Sequence, residues 1–253
     1  MPLRSYYDGS RTTALTMSLA CVAADDPIWF RIETKWQDIL SHYGIPYVHM
    51  KELMPLVGPF KSWTGASRDA LLAEILDFLR EFRPETRINV FTCSIDLVEH
   101  RKWASARKHP APERLCARMI FPMVMEWYAA FPEKILDVME VYFDRDEPFM
   151  AHIAEDWRTK SIRKQHPSWD LIRTIAPADM KLTPPLQVAD MMVWARNRIE
   201  STKAGNDSFL HLAWDITNSI HGVHREIGEK AMRLSTFNEE GLRRVNAAKR
   251  KNK

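Results

Sequence analysis

The spacing of apolar positions changes period several times along the chain, and each change marks an element. Two short apolar runs, 3–8 and 12–24, flank Gly9-Ser10-Arg11. That pattern predicts two strands joined as a hairpin, with Asp8 at the lip of the first. Asp25-Asp26-Pro27 then offers a cap and a proline, and Trp29, Ile32, Trp36, Ile39 and Leu40 recur at helical spacing up to Gly44. A helix over 27–43 is expected. An extended run at 45–50 leads into His49-Met50-Lys51-Glu52-Leu53, and 55–66, with two prolines and two glycines, reads as a covering loop. A second helix is expected over 67–82, with Leu71, Ile75, Phe78, Leu79 and Phe82 inward, followed by a buried strand over 88–97.

The second half repeats these periods. Helical spacing covers 114–131, and an apolar run at 135–144 predicts a strand ending in Asp144, with Glu140 and Tyr142 on the same face. A helix over 149–164 and a weaker strand over 170–176 follow. Pro184 and Pro185 precede an apolar helix over 186–198, where proline in a first turn sacrifices no hydrogen bond. Along it Leu186, Ala189, Val193 and Arg196 form one stripe, and Gln187, Asp190, Trp194 and Asn197 a neighbouring one. From 208 to about 233 the pattern is again helical. No internal repeat or long linker interrupts the chain.

Composition narrows the class. Hydrophobic content of 45% supplies a sizeable core, and 8 glycines are too few for a turn-rich all-β chain. The 253 residues fit one large α/β domain or two small ones; one is expected over 1–203, with a helical extension and basic tail at 204–253 packed on it. Three widely spaced cysteines, Cys21, Cys93 and Cys116, form no C-x-x-C and no disulfide framework, the usage of a reducing compartment. The first residues lack a secretory pattern and no run is long enough to span a bilayer, so a cytoplasmic protein with no membrane partner is expected.

A net charge of +3 selects no partner, but its distribution suggests one. Basic residues gather at 100–118 (Arg101, Lys102, Arg107, Lys108, Arg114 and Arg118, with Trp103 among them), at 158–164 (Arg158, Lys160, Arg163 and Lys164) and at 243–253. Such blocks can hold a nucleic-acid backbone, although solvated helix faces have the same composition.

Asp190 carries the sharpest chemistry. An ionised carboxylate among apolar neighbours is costly unless a cation, a metal or several donors meet it. Asp8 and Asp144 occupy comparable strand ends, where α/β sheets gather their sites. Carboxylates crowded together coexist when divalent cations neutralise them, and hard oxygen ligands select Mg²⁺ or Mn²⁺. A pair of such ions can clamp the attacking and leaving oxygens of a phosphoryl displacement. The chain offers no G-x-S-x-G, Walker loop or G-x-G-x-x-G as an alternative. Each aspartate also has a bland explanation: Asp8 could close the hairpin, Asp144 could start a turn, and Asp190 could pair with Arg196 or Arg198.

Four segments together resemble an uncharacterised bacterial and phage family related to the RNase H-like nucleases. They are Tyr6-Tyr7-Asp8-Gly9-Ser10, His49-Met50-Lys51-Glu52-Leu53, Val141-Tyr142-Phe143-Asp144 and the L-Q-x-A-D motif Leu186-Gln187-Val188-Ala189-Asp190. The resemblance spans about residues 3–200. It implies an RNase H-like mixed sheet flanked by helices and a metal-dependent nuclease, with Asp8, Asp144 and Asp190 as metal ligands. Glu52 or His49 would be a fourth group, Ser10 a retained supporting residue, and Gln187 would orient Asp190 or touch a substrate backbone. Gly9 departs from the family, which carries glutamate there, as does Arg11, where glycine is usual. An impaired module that binds nucleic acid or a protein partner is therefore the second expectation. A zinc site built from His211, Asp215, His221 and His224 is a third.

Overall fold

A computed structural model describes residues 2–12, 15–82, 86–106, 111–129, 138–145, 147, 149–164, 167–202 and 208–227. The chain opens with strands β1 (Leu3–Thr12) and β2 (Thr16–Asp25), helix α1 (Asp26–Tyr43), a single turn α2 (Met50–Leu53), helix α3 (Gly65–Leu79) and strand β3 (Ile88–Asp96). Helices α4 (Leu97–Ala106) and α5 (Pro112–Ala129), strand β4 (Met139–Asp144), helix α6 (Phe149–Arg158), one turn α7 (Lys160–Arg163) and strand β5 (Ile172–Ala178) come next. Helices α8 (Pro184–Ser201) and α9 (Leu210–Thr217) and strand β6 (Gly222–Ile227) complete the described chain.

Among the described residues the strands form one mixed sheet in the order β5-β4-β1-β2-β3-β6. β2 runs antiparallel to both β1 and β3, while β4 is parallel to β1 and β5, and β6 is parallel to β3. The α/β class expected from sequence is therefore the observed one.

Both faces of the sheet are covered, which explains why β2 is buried at every position. Strand side chains alternate between faces. Ala20, Val22 and Ala24 pack with Tyr6 against α1, α3, α8 and α9; Leu19, Cys21 and Ala23 pack with Tyr7 against α5. Aromatic pairs fix the β1–β4 register: Tyr6 stacks on Tyr142 on one face and Tyr7 on Phe143 on the other, with ring centroids 5.1 and 4.7 Å apart.

Helix α1 buries the five residues that its spacing singled out, and Gly44 ends it in the left-handed region (φ 63°), its N–H reaching Leu40 and Ser41 carbonyls. Helix α8 is buried without interruption from Pro184 to Val193. A helix apolar on all sides belongs inside, and this one lies across β1 and β2.

Four expectations need correction. The hairpin does not turn at Gly9-Ser10-Arg11: β1 continues to Thr12, with Gly9 opposite Leu19 and Ser10 opposite Ser18. Ladder pairing along the whole of β2 outweighs the local turn preference of Gly-Ser. The run at 45–50 is not a strand but an irregular segment ending in the α2 turn. The helix expected over 149–164 breaks at Thr159. The helical region expected to 233 stops at Thr217, and Gly222–Ile227 pairs with β3 as a parallel strand. Arg107, Lys108 and the block at 243–253 lie outside the described residues.

Candidate active site

Register brings the first two aspartates together. The β1–β4 ladder ends at Tyr7 opposite Phe143, so Asp8 and Asp144 are the next residues of two adjacent parallel strands. Alternation puts them on the face of Tyr6 and Tyr142, the face that α8 covers. Asp8 is thus inside a strand, not closing a turn, and is buried (7% exposed), as is Asp190 from the second turn of α8.

Asp190 is met neither by Arg196 nor by Arg198. Its Oδ2 accepts a 2.6 Å hydrogen bond from the backbone N–H of Met50. Arg196 instead faces Glu200 at 3.5 Å, and the Arg198 guanidinium lies over the rings of Trp194 and Phe209.

These groups open onto a cleft of about 650 Å³ lined by Asp8, Gly9, Ser10, His49, Met50, Lys51, Met54, Pro55, Asp144, Glu147, Asp190, Trp194, Arg198 and Phe209. Ser10 lines the cleft while its carbonyl accepts from the Asn197 amide at 2.8 Å, tying α8 to β1. Asp144 Oδ1 accepts from the backbone N–H of Met180 at 3.2 Å.

Crowding sets the electrostatics. Burial raises the Asp8 carboxyl well above the ordinary carboxylate range, and Asp190, Glu147 and Asp144 push it further, against the backbone N–H of Gly9. Burial also raises Asp190, to about 6; His49, the Met50 N–H and Asp8 oppose the rise and Asp144 adds to it. Burial thus pushes both carboxyls away from the ionised form.

Gln187 is wholly buried and is not part of this lining. Its Oε1 accepts from Trp36 Nε1 and the Val48 N–H, both at 2.8 Å, and its Nε2 donates to the Met180 and Lys181 carbonyls at 3.1 and 3.4 Å. It fixes two backbone segments: Val48–Met50, which donates to Asp190, and the turn at Met180, which donates to Asp144. Gln187 thus braces the backbone behind both aspartates.

Glu52 also stands back from the cleft. One carboxylate oxygen accepts from Tyr47 Oη at 2.8 Å, and the other lies 3.7 Å from Nδ1 of His49, behind that imidazole. Among the described residues of the expected basic blocks, Arg101, Lys102, Arg158, Lys160, Arg163 and Lys164 are absent from the lining. Arg101 Nε donates to the Leu97 carbonyl, Arg163 pairs with Asp170, and Asp156 engages Arg114 and Arg118. Among the described residues, the lysine and arginine lining the cleft are Lys51 and Arg198.

Sequence reasoning missed Glu147, Trp194, Arg198 and Phe209. For Trp194 a signal existed, since it shares a helical stripe with Asp190; Glu147 sits in an acidic turn with no periodicity to place it. The four groups of the zinc expectation separate: His211 and Asp215 line one cavity, His221 and His224 another. Among the described residues no set of three or more His, Cys, Asp or Glu side chains is preassembled as a metal cage, and no helix is long and apolar enough to cross a membrane. The chain matches no protein-family model and no curated protein.

Proposed function

We propose that this cleft is the active centre of a divalent-metal-dependent nuclease hydrolysing phosphodiester bonds. The observation that carries the reading is the convergence of Asp8, Asp144, Glu147 and Asp190, from three separate parts of the chain, on one open cleft, with Asp8 and Asp190 both buried. Carboxylates held this way have a use when a cation joins them. The mixed sheet, with Asp8 and Asp144 on neighbouring parallel strands under the helix that carries Asp190, supports the RNase H-like relationship suggested by the motifs.

The donor set fits Mg²⁺ or Mn²⁺ in kind, being all carboxylate oxygen. Asp8, Asp144 and Asp190 would be the ligands, with Glu147 beside them. Bound ions would supply the positive charge that activates a water and steadies a leaving oxygen. The chain's own residues do the rest. Asp8 and Asp190 would have to be ionised to hold such ions. The Met50 and Met180 N–H groups hold Asp190 and Asp144 in orientation, and His49 lines the cleft beside them. Lys51 and Arg198 face the cleft where a substrate phosphate would lie.

A binding module without turnover is the second reading. Gly9 favours it, because it lines the cleft where the resembled family carries glutamate.

One experiment separates the two. Purified protein is incubated with Mn²⁺ or Mg²⁺ and labelled single- and double-stranded DNA and RNA, while calorimetry follows metal binding. The nuclease reading expects carboxylate-dependent metal uptake and cleavage that Asp144→Ala abolishes. A folded wild-type chain that takes up no metal and cuts none of these substrates leaves only the module.

A further inference from the structure

The carboxylates occupy one end of the cleft; the other end is aromatic and cationic. On α8, Asp190, Trp194 and Arg198 follow one another at four-residue intervals, so a single stripe runs from carboxylate to guanidinium over about 12 Å of helix. The Arg198 guanidinium lies 5.3 Å from the ring centroid of Trp194 and 5.3 Å from that of Phe209, and all three residues line the cleft. The Arg68 guanidinium also lies 4.9 Å from the Phe209 ring centroid. Trp194, Arg198 and Phe209 are each only partly buried.

We infer that this wall receives unpaired nucleotides, so that the substrate of the cleft is single-stranded nucleic acid. The inference rests on the phosphodiester reading above. Aromatic faces and a guanidinium bind nucleobases by stacking, which every base permits and which carries little sequence preference. Inside a duplex those base faces are covered by their neighbours, and exposing them costs unstacking energy. A wall meant for duplex backbone would be built from cations and helix N-termini reaching phosphates, with no use for two rings. The expected arrangement is therefore a base against Trp194 or Phe209, its phosphate near Arg198 or Lys51, and the next phosphodiester at the carboxylates. Arg198 suits both neighbours, because a planar guanidinium can stack and also fork onto a phosphate.

The test is fluorescence anisotropy of the full chain with a short labelled oligothymidylate, the matching oligouridylate and a duplex of equal length. It is run in EDTA and again in Ca²⁺, with cleavage followed separately in Mn²⁺. The single strands should bind about tenfold or more tighter than the duplex. Trp194→Ala and Phe209→Leu should each lose about tenfold of single-strand affinity without changing duplex affinity, and Trp194→Phe should keep most of it. Melting curves establish that each variant is folded. Equal affinity for duplex and single strand, or single-strand affinity unchanged in folded Trp194→Ala and Phe209→Leu, overturns the inference. Cleavage of duplex that needs Asp144 and ignores Trp194 would sink it while leaving the nuclease reading standing. Ring-dependent single-strand binding with no cleavage in Mn²⁺ would do the reverse.

Discussion

The carboxyl groups of Asp8 and Asp190 are both buried at one cleft, one from the interior of the first strand and the other from the second turn of a buried helix. An ionised carboxylate so buried and crowded is held at a cost to stability. Asp190→Asn removes that charge while leaving an oxygen to accept from Met50. The metal-free variant should gain about 1–3 kcal/mol at neutral pH, read as a melting temperature a few degrees higher, and should lose metal-dependent cleavage. A variant less stable than the wild type without metal would contradict this account of the site.

The pH dependence has a definite sign. The Asp190 carboxyl lies at about 6 in the folded chain against 3.8 ordinarily, so the folded state binds the proton more tightly than the unfolded state. The stabilisation from this group is complete below about 4 and is lost as pH rises towards 6. A divalent cation competes with the same proton. The rise in melting temperature produced by Mn²⁺ should therefore grow between pH 5 and pH 7, and calorimetry in buffers of different ionisation enthalpy should show proton release. A metal effect independent of pH across that window counts against proton displacement.

Gln187 holds the cleft from behind. Gln187→Leu leaves the Trp36 indole N–H and the Val48 N–H buried without their acceptor, at a cost of about 2–4 kcal/mol. It also frees the segment that donates to Asp190, so metal affinity should fall although no ligand has changed. Urea denaturation and metal titration of the one variant check both effects. Loss of stability with unaltered metal affinity would make Gln187 a core residue and nothing more.

The location of the cations makes a further prediction. Lys51 and Arg198 line the cleft, whereas Lys160 and Arg163 do not. Replacing Lys51 or Arg198 with alanine should reduce the slope of log affinity against log salt for an oligonucleotide by about one. Lys160→Ala and Arg163→Ala should leave that slope nearly unchanged. The opposite ranking would relocate the nucleic-acid path to the surface around α7.

Much of the fold is legible in local pattern. Helix α1 is readable because five apolar residues fall on one stripe between a proline-containing start and a left-handed glycine end. The strand at Ile88–Asp96 is readable because a short run rich in apolar and β-branched residues suits a strand covered on both faces. The end of β1 is not, because Gly-Ser prefers a turn locally and only pairing with Ser18 and Leu19 makes it a strand. β6 misleads for a related reason: its helical spacing yields to a parallel ladder with β3 that no local window contains.

The sequence by itself determined the alternation of strands and helices, the buried character of α8 and the identity of the three aspartates, since each depends on a residue and its near neighbours. Tertiary structure alone decided that Asp8 and Asp144 are consecutive to one paired step of adjacent strands, that Asp190 descends onto them, and that Glu147, Trp194, Arg198 and Phe209 share their cleft. It also decided that Gln187 and Glu52 stand behind the site and that Arg101, Lys102, Arg158, Lys160, Arg163 and Lys164 lie away from it. The physical reason is that periodicity fixes which face a side chain takes on its own element, whereas register and helix placement, set by packing among residues far apart in the chain, fix what that face meets.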